Sequence, residues 1–340
     1  MATSSPRRTP SATPAAEGLV VIGASAGGVS ALLKLSSALP EQFPAPILVV
    51  LHIGANTSVL PMLLSAHGNN RAVHAEDGQP LEKATIYVAP PDHHMLVQDG
   101  RIRLSRGPKE HHTRPAVDPL FRSAALAAGP RVVGVVLTGR LDDGTAGLSA
   151  IKQCGGIAVV QDPAEAEHPG MPRSALQSVA VDHCLPLEGI AAQLQRLVTS
   201  LPAPVEAAVP PVPGLTHEVA VFDGEGDPME NLRAIGKPST LACPDCAGVL
   251  WEIGDTEPER YRCHTGHAFS LRSLEGTQSA TTEDALWGAV RALQQREVIL
   301  RRLAEHERKV GADVDADRYE TQADEAARHA ELLHGLVVEA

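Results

Sequence analysis

Three side chains with complementary proton chemistry stand at the ends of apolar runs: Ser25, His52 and Asp143. A serine hydroxyl holds its proton too tightly to attack at neutral pH, so it needs a neighbouring base, and that base needs a third group to fix its tautomer. Ser25 lies in Gly23-Ala24-Ser25-Ala26-Gly27-Gly28, after the apolar stretch Leu19 to Ile22 and before a helical pattern from Val29 to Ser37. That pattern predicts a strand-to-helix corner, which exposes a hydroxyl and turns helix amides toward a developing oxyanion. The small neighbours let backbone come close. His52 follows the apolar run Ile47 to Leu51, and Asp143 follows Val132 to Leu137 through Thr138-Gly139-Arg140-Leu141-Asp142. Taken singly, each has a plainer reading: a glycine-rich turn that cradles phosphate or only packs, a hydrogen-bonded structural histidine, a helix-capping aspartate.

A second constellation has metal-ligand spacing. Cys243-Pro244-Asp245-Cys246 is followed by Cys263-His264-Thr265-Gly266-His267, two short turns that can offer two donors each to one tetrahedral zinc ion. His267 fits the fourth position better than His264, because adjacent Cys263 and His264 point apart while Gly266 permits a turn. A redox Cys-x-x-Cys is the alternative, without a thioredoxin-like βαβ pattern around it. A closed four-ligand site is structural, so no zinc chemistry is expected, and catalysis needs no cofactor. His93, His94, His111 and His112 could mark a cleft rim or bind metal, although paired histidines in polar loops are usually solvated. Arg114 and Asp118 suit either substrate binding or an ion pair and a helix cap.

Positioning Ser25, His52 and Asp143 on one rim requires strands that end on the same edge. Apolar runs at Ile47 to Leu51, Ile86 to Ala89, Val132 to Leu137 and Ile157 to Val160 alternate with helical patterns at 58–66, 118–128, 144–154 and 187–198. This alternation predicts a doubly wound α/β domain with a mostly parallel sheet in three Rossmann-like layers, whose crevice lies at the carboxyl ends of the strands. Val97-Gln98-Asp99-Gly100-Arg101-Ile102 reads as a hairpin, and Gly107 to Pro115 as a polar flap. The expected boundaries are a disordered tail at 1–17, a catalytic domain at 18–200, a Pro-rich and acidic linker at 201–240, a zinc-binding segment at 241–275 and an antiparallel helical hairpin at 281–339. In the hairpin Leu286, Val290, Leu293, Leu300 and Leu303 mark one apolar stripe. Tyr319, Ala323, Ala326, Ala330, Leu333 and Val337 mark the other.

The chain of 340 residues carries a formal net charge of -12 and shows no basic stripe, which argues against nucleic-acid binding. No run approaches the ~20 apolar residues of a membrane span, and no secretory pattern opens the chain, so a cytoplasmic protein, not embedded in a membrane, is expected. Cys154 and Cys184 lie apart from the other three cysteines, unlike a secreted disulfide framework.

The Ser25 motif and His52, together with Ala89-Pro90-Pro91-Asp92, Arg114-Pro115-Ala116-Val117-Asp118, Leu137-Thr138-Gly139 through Asp143-Gly144, Gln161-Asp162-Pro163 and Gly170-Met171-Pro172, resemble the CheB family of chemotaxis protein-glutamate methylesterases. The resemblance covers residues 18 to about 200 and implies a nucleophile at Ser25, a base at His52 and an orienting carboxylate at Asp143. It also implies oxyanion donors at the backbone N–H groups of Ala26 and Arg140. The implied reaction is hydrolysis of glutamyl methyl esters on methylated chemoreceptors, with glutamine deamidation as related acyl chemistry. This chain departs from the family at Arg140-Leu141, where Met-Gly is usual, and at Ala26, where a hydroxyl residue is commoner. The zinc segment and hairpin resemble an extension of some CheB-like proteins, and no receiver-domain pattern precedes residue 18, so control is expected from the tail or from a signalling partner bound to it. Two other functions compete: an esterase or amidase for a different acyl group, and a non-catalytic signalling scaffold.

Overall fold

A computed structural model describes residues 18–202, 212, 214–224, 226–254 and 257–339. The expected tail at 1–17 and most of the Pro-rich stretch lie outside the described residues. The chain divides into two compact units, Met1–Ser273 and Leu274–Ala340.

The first unit is built on a sheet of seven strands in the order β3-β4-β2-β1-β7-β8-β9. These are β1 (Leu19–Ala24), β2 (Ile47–Leu51), β3 (Arg71–His74), β4 (Thr85–Val88), β7 (Val132–Val136), β8 (Ile157–Gln161) and β9 (His183–Leu185), and every pairing between them is parallel. The antiparallel hairpin of β5 (His94–Gln98) and β6 (Arg101–Ser105) turns at Asp99-Gly100, both with positive φ. Alternate residues of β1 serve opposite faces, as the strand period requires. Leu19 and Val21 pack with α3 (Val117–Ala128), α4 (Thr145–Gln153) and α5 (Gly170–Ser178). Val20 and Ile22 pack with α1 (Gly28–Ala38), α2 (Leu60–His67) and α6 (Leu187–Ser200). Two apolar cores therefore clamp one sheet, and burying each Val, Leu or Ile side chain contributes about 1.5 to 3 kcal/mol before entropy is subtracted.

The stretch expected as a linker departs from that reading. It carries α7 (Leu215–Asp223), α8 (Pro228–Ile235) and the start of β10 (Gly236–Ala242). Leu215, Val221, Phe222 and Leu232 are buried, so this apolar spacing outweighs the flanking prolines and acidic residues. Asp227 caps α8, its carboxylate accepting from Met229 N at 2.7 Å. An antiparallel sheet follows, of β10, β11 (Val249–Ile253), β12 (Arg260–Cys263) and β13 (Ala268–Ser270).

The second unit is a helical hairpin, with α9 (Leu271–Lys309) beginning ahead of the expected boundary and α10 (Asp313–Glu339) after a turn at Gly311. Val290, Leu300, Ala304, Ala316, Ala323, Ala326 and Ala330 are buried. The small alanines let the helices approach, while Arg308 pairs with Glu320 and Arg301 with Asp324.

Candidate active site

Strand order brings the three distant side chains together. β1 lies between β2 and β7, so the corners after these strands share one rim. Ser25 follows β1 and is tied across the rim, its N–H donating to Thr138 O at 3.0 Å. Ser25 O accepts from Gly28 N at 2.8 Å, closing the turn into α1, and Gly27 takes a left-handed φ of 75° that a side chain would strain. His52 follows β2, its N–H donating to Ala24 O at 3.3 Å. Asp143 lies in the loop from β7 to α4.

The Ser25 hydroxyl lies 3.0 Å from His52 Nδ1, and His52 Nε2 lies 2.6 Å from Asp143 Oδ2. The aspartate accepts through Nε2–H, which leaves Nδ1 bare to take the serine proton. The two ring nitrogens are thus exchanged relative to the Ser-His-Asp arrangement in which Nε2 faces the serine. His52 stays partly open to solvent while Asp143 is 2% exposed. Three backbone amides also converge on that carboxylate: Val117 N at 2.7 Å, Asp118 N at 3.0 Å and Gly144 N at 2.8 Å. Burial alone would raise its pKa, but the nearby His111 charge, the His52 hydrogen bond and the amides hold it well below the usual carboxylate range.

Beside the serine, Gly139 has no room for a side chain. A Cβ there would lie 2.0 Å from Met171 Sδ and 3.0 Å from Ser25 Cβ. Met171 is fully buried and donates its N–H to Gly139 O at 2.9 Å, which gives the Gly-Met-Pro motif its physical role: it braces the turn next to Ser25. Among the described residues, the N–H groups of Ala26 and Arg140 donate no hydrogen bond to the backbone. Leu141, where the family places glycine, adopts a left-handed φ of 60° and is half exposed.

Other polar candidates turn inward. Arg114 grips Asp92 through Nε and Nη2 at 2.9 and 2.7 Å, and the carbonyls of Arg106 and Gly107 through Nη1. Asp118 accepts from Gly147 N at 2.7 Å. His94 is fully buried between Pro108 O and Ala116 N, and burial pushes its pKa down to about 4. The His111 side chain is only 8% exposed, contrary to the expectation for paired loop histidines. His111, Asp118 and Asp143 cluster closely enough to suggest a metal, but their carboxylate oxygens already accept N–H donors.

The Cys/His cluster assembles on two knuckles, one after β10 and one between β12 and β13. Ala247 N donates to Cys243 O at 2.7 Å and Gly266 N to Cys263 O at 2.9 Å. Donor atoms of Cys243, Cys246, Cys263 and His267 all lie within 4.8 Å of one another, with Cys246 Sγ to Cys263 Sγ at 3.7 Å and His267 Nδ1 to Cys263 Sγ at 3.6 Å. Zinc bonded at ordinary lengths would set tetrahedral edges of about 3.8 Å between sulfurs and about 3.6 Å between sulfur and nitrogen. The donor set fits. His264 stays exposed with its ring against Gly248, outside the cluster.

A parallel α/β sheet with a hydrogen-bonded serine, histidine and aspartate at its carboxyl edge has the architecture of a serine hydrolase, in the order Ser, His, Asp. The CheB methylesterase family model matches residues 20–194, and the chain belongs to that family. A putative protein-glutamate methylesterase/protein-glutamine glutaminase of Leptospira interrogans, strain Fiocruz L1-130, is 41% identical over 180 residues, 52% of this chain and 93% of that protein. The protein-glutamate methylesterase FrzG of Myxococcus xanthus is 40% identical over 182 residues, 53% of this chain and 54% of its own length. The crystal structure of the Thermotoga maritima CheB methylesterase catalytic domain is matched at 35% identity and a TM-score of 0.51, over 53% of this chain and 98% of that one. The family model leaves the Cys/His segment and the hairpin outside its match. Among the described residues no helix is long and apolar enough to cross a membrane.

Proposed function

We propose that the protein hydrolyses glutamyl methyl esters on methylated chemoreceptors, with Ser25 as nucleophile, His52 as base and Asp143 as orienting carboxylate. The observation that carries this reading is the unbroken Ser25–His52–Asp143 hydrogen-bond chain at 3.0 and 2.6 Å. His52 Nδ1 takes the Ser25 proton as Oγ attacks the ester carbonyl. The oxyanion is held by the amides of Ala26 and Arg140, each donor being worth about 10²- to 10³-fold in rate. The intermediate collapses, methoxide leaves with the proton from His52, and methanol departs. Water then gives its proton to His52 and attacks the acyl-serine, releasing the glutamate and restoring Ser25. A glutamine substrate follows the same course with ammonia as leaving group, in keeping with the glutaminase activity in the Leptospira relative's name.

A structural zinc ion fits Cys243, Cys246, Cys263 and His267. It would cross-link the two knuckles and supply no chemistry to the hydrolase. Residues 18–200 then act as the catalytic domain, and the outer side of the hairpin, where Val298, Ile299, Leu332 and Leu336 are exposed, is available to a signalling partner.

The test is methanol release from methylated receptor. Ser25→Ala should lower it by at least about 10⁴-fold with unfolding unchanged, because truncating one hydroxyl leaves both cores intact. Turnover equal to wild type would remove Ser25 from the mechanism. A preference for simple esters over receptor would point to another acyl substrate.

A further inference from the structure

Loop 107–115 runs from the Cys/His segment to the carboxylate behind His52, and His111 is where the two meet. Its backbone N–H donates to Ala268 O on β13 at 2.9 Å. Its Nδ1 lies 3.0 Å from Ser273 Oγ at the start of α9, and its Nε2 lies 3.2 Å from Asp118 Oδ2 on α3. Ser273 Oγ also accepts from Ser270 N at 2.9 Å and lies 3.1 Å from Ser270 O, which fixes it against the ring. Asp118 accepts from Nε2–H. With both nitrogens protonated the ring is an imidazolium, the form that carboxylates at 3.2 to 3.9 Å favour.

The charged groups nearest the ring are carboxylates. Beyond Asp118, Asp142 Oδ1 lies 3.9 Å from Nδ1 and Asp143 Oδ1 lies 3.8 Å from Nε2, while Arg122 Nη1 approaches the same Asp118 Oδ2 at 4.0 Å and Glu110, Glu218, Arg260 and Arg262 line the adjoining cavity. Asp142 is 2% exposed, and neither of its carboxylate oxygens has a hydrogen-bond partner. Among the described residues, His111 is the cation within reach of it. Burial alone would favour a neutral ring, but Asp143, Asp118 and Asp142 outweigh it and raise the His111 pKa to about 9. Three carboxylates crowded into one buried pocket cannot all stay ionised unless a cation sits among them. Asp143 must stay ionised to hold the Nε2–H tautomer of His52.

We propose that His111 is a positioning residue for the Ser25–His52–Asp143 chain: a cation set among Asp118, Asp142 and Asp143 that keeps Asp143 charged and is itself anchored by the C-terminal segment at Ser273 and Ala268. The Cys/His segment is thereby an activating part of the enzyme, reaching the reaction through one imidazolium. This rests on the hydrolytic reading above. Without the cation a proton enters the carboxylate cluster, Asp143 loosens its grip on His52, and the loss is greatest at low pH.

The experiment measures the rate at which a fluorophosphonate labels Ser25 in the full-length protein across about pH 5 to 9, with the labelled residue identified by mass spectrometry. In this reaction Oγ bonds to phosphorus, fluoride leaves and the serine proton goes to His52, so no receptor is needed. His111→Gln should label about tenfold more slowly near pH 6, with the acid limb of the profile displaced upward by about one unit. His111→Lys, which restores a cation, should recover most of that displacement. Ser273→Ala keeps the charge but loosens its anchor and should slow labelling with the limb in place; it also serves if His111→Gln does not fold. A wild-type rate and limb in His111→Gln, a Lys variant as displaced as the Gln variant, or an unchanged Ser273→Ala would each overturn the proposal. Wild-type protein that fails to label at Ser25 would instead overturn the hydrolytic reading.

Discussion

The serine rim and the Cys/His cluster both hold polar side chains in fixed geometry, but with opposite resources. At the rim, three adjacent parallel strands end together, two apolar cores clamp the sheet, and three backbone amides fix Asp143. The Cys/His cluster rests on four short strands backed by a smaller apolar set, Val221, Leu232, Trp251 and Ile253, with Leu250, Tyr261 and Phe269 buried beside them. A site backed by a large core is positioned before any ligand arrives. A site backed by a small one depends on its ligand for its shape.

Metal removal is the sharpest way to break this comparison. Structural zinc supplies about 10 to 16 kcal/mol of folding free energy in small domains, more than that core can replace. Chelation should therefore abolish amide-exchange protection in β10 to β13 while β1, β2 and β7 keep theirs. Protection retained by the small sheet after complete metal loss would mean that its hydrophobic packing suffices.

The next largest effect should come from the buried ion cluster joining the two regions. Glu110 accepts from Arg122 Nη2 at 2.5 and 2.6 Å and from Arg262 Nη2 at 2.7 Å, and Glu218 pairs with Arg260 and Arg262. Burial raises the Glu110 pKa, but Arg122 and Arg262 overcome it and hold the group at about 2 against an ordinary 4.5. A folded-state pKa depressed in this way stabilises the protein above pH 4.5, and the stabilisation is lost as pH falls toward about 2. Glu110→Gln should cost about 3 to 5 kcal/mol at neutral pH, because it leaves the buried Arg122 and Arg262 to share the single carboxylate of Glu218, and should flatten the acid limb of stability. Chemical denaturation as a function of pH measures both. A variant as stable as wild type at neutral pH would show that the arginines find other partners.

The same contrast explains which features were legible in the sequence. Val, Ile and Leu runs marked the central strands β1, β2, β4, β7 and β8, and residues that end such strands must share an edge, so Ser25, His52 and Asp143 could be grouped before any coordinates. Cysteine spacing did the same for Cys243, Cys246 and Cys263. Short edge strands such as β3 and β9 left no comparable pattern, and α7 was hidden because the prolines before it dominate local composition. The burial of His94 and His111 was not readable either: a histidine's fate depends on whether distant donors and carboxylates converge on it, and Ser273 is 162 residues from His111. The pair His111-His112, each with positive φ, offered only polar context.

The smallest effect tests the rim itself at Leu141. A β-carbon in the left-handed region crowds the following carbonyl, at a cost of roughly 1 to 2 kcal/mol per residue. Leu141 sits there at φ 60° with its side chain half exposed, so little burial offsets the strain. Gly170 packs against this turn from the other side, its notional Cβ 2.9 Å from Leu141 N, which fixes the backbone path and prevents relaxation. Leu141→Gly should therefore raise stability by about 0.5 to 1 kcal/mol, since glycine's greater freedom in the unfolded chain returns part of the relieved strain. It should leave the Ser25 labelling rate within about twofold, because the Arg140 amide keeps its place. A thermal melt shifted downward would show that the leucine side chain contributes packing that outweighs its backbone strain.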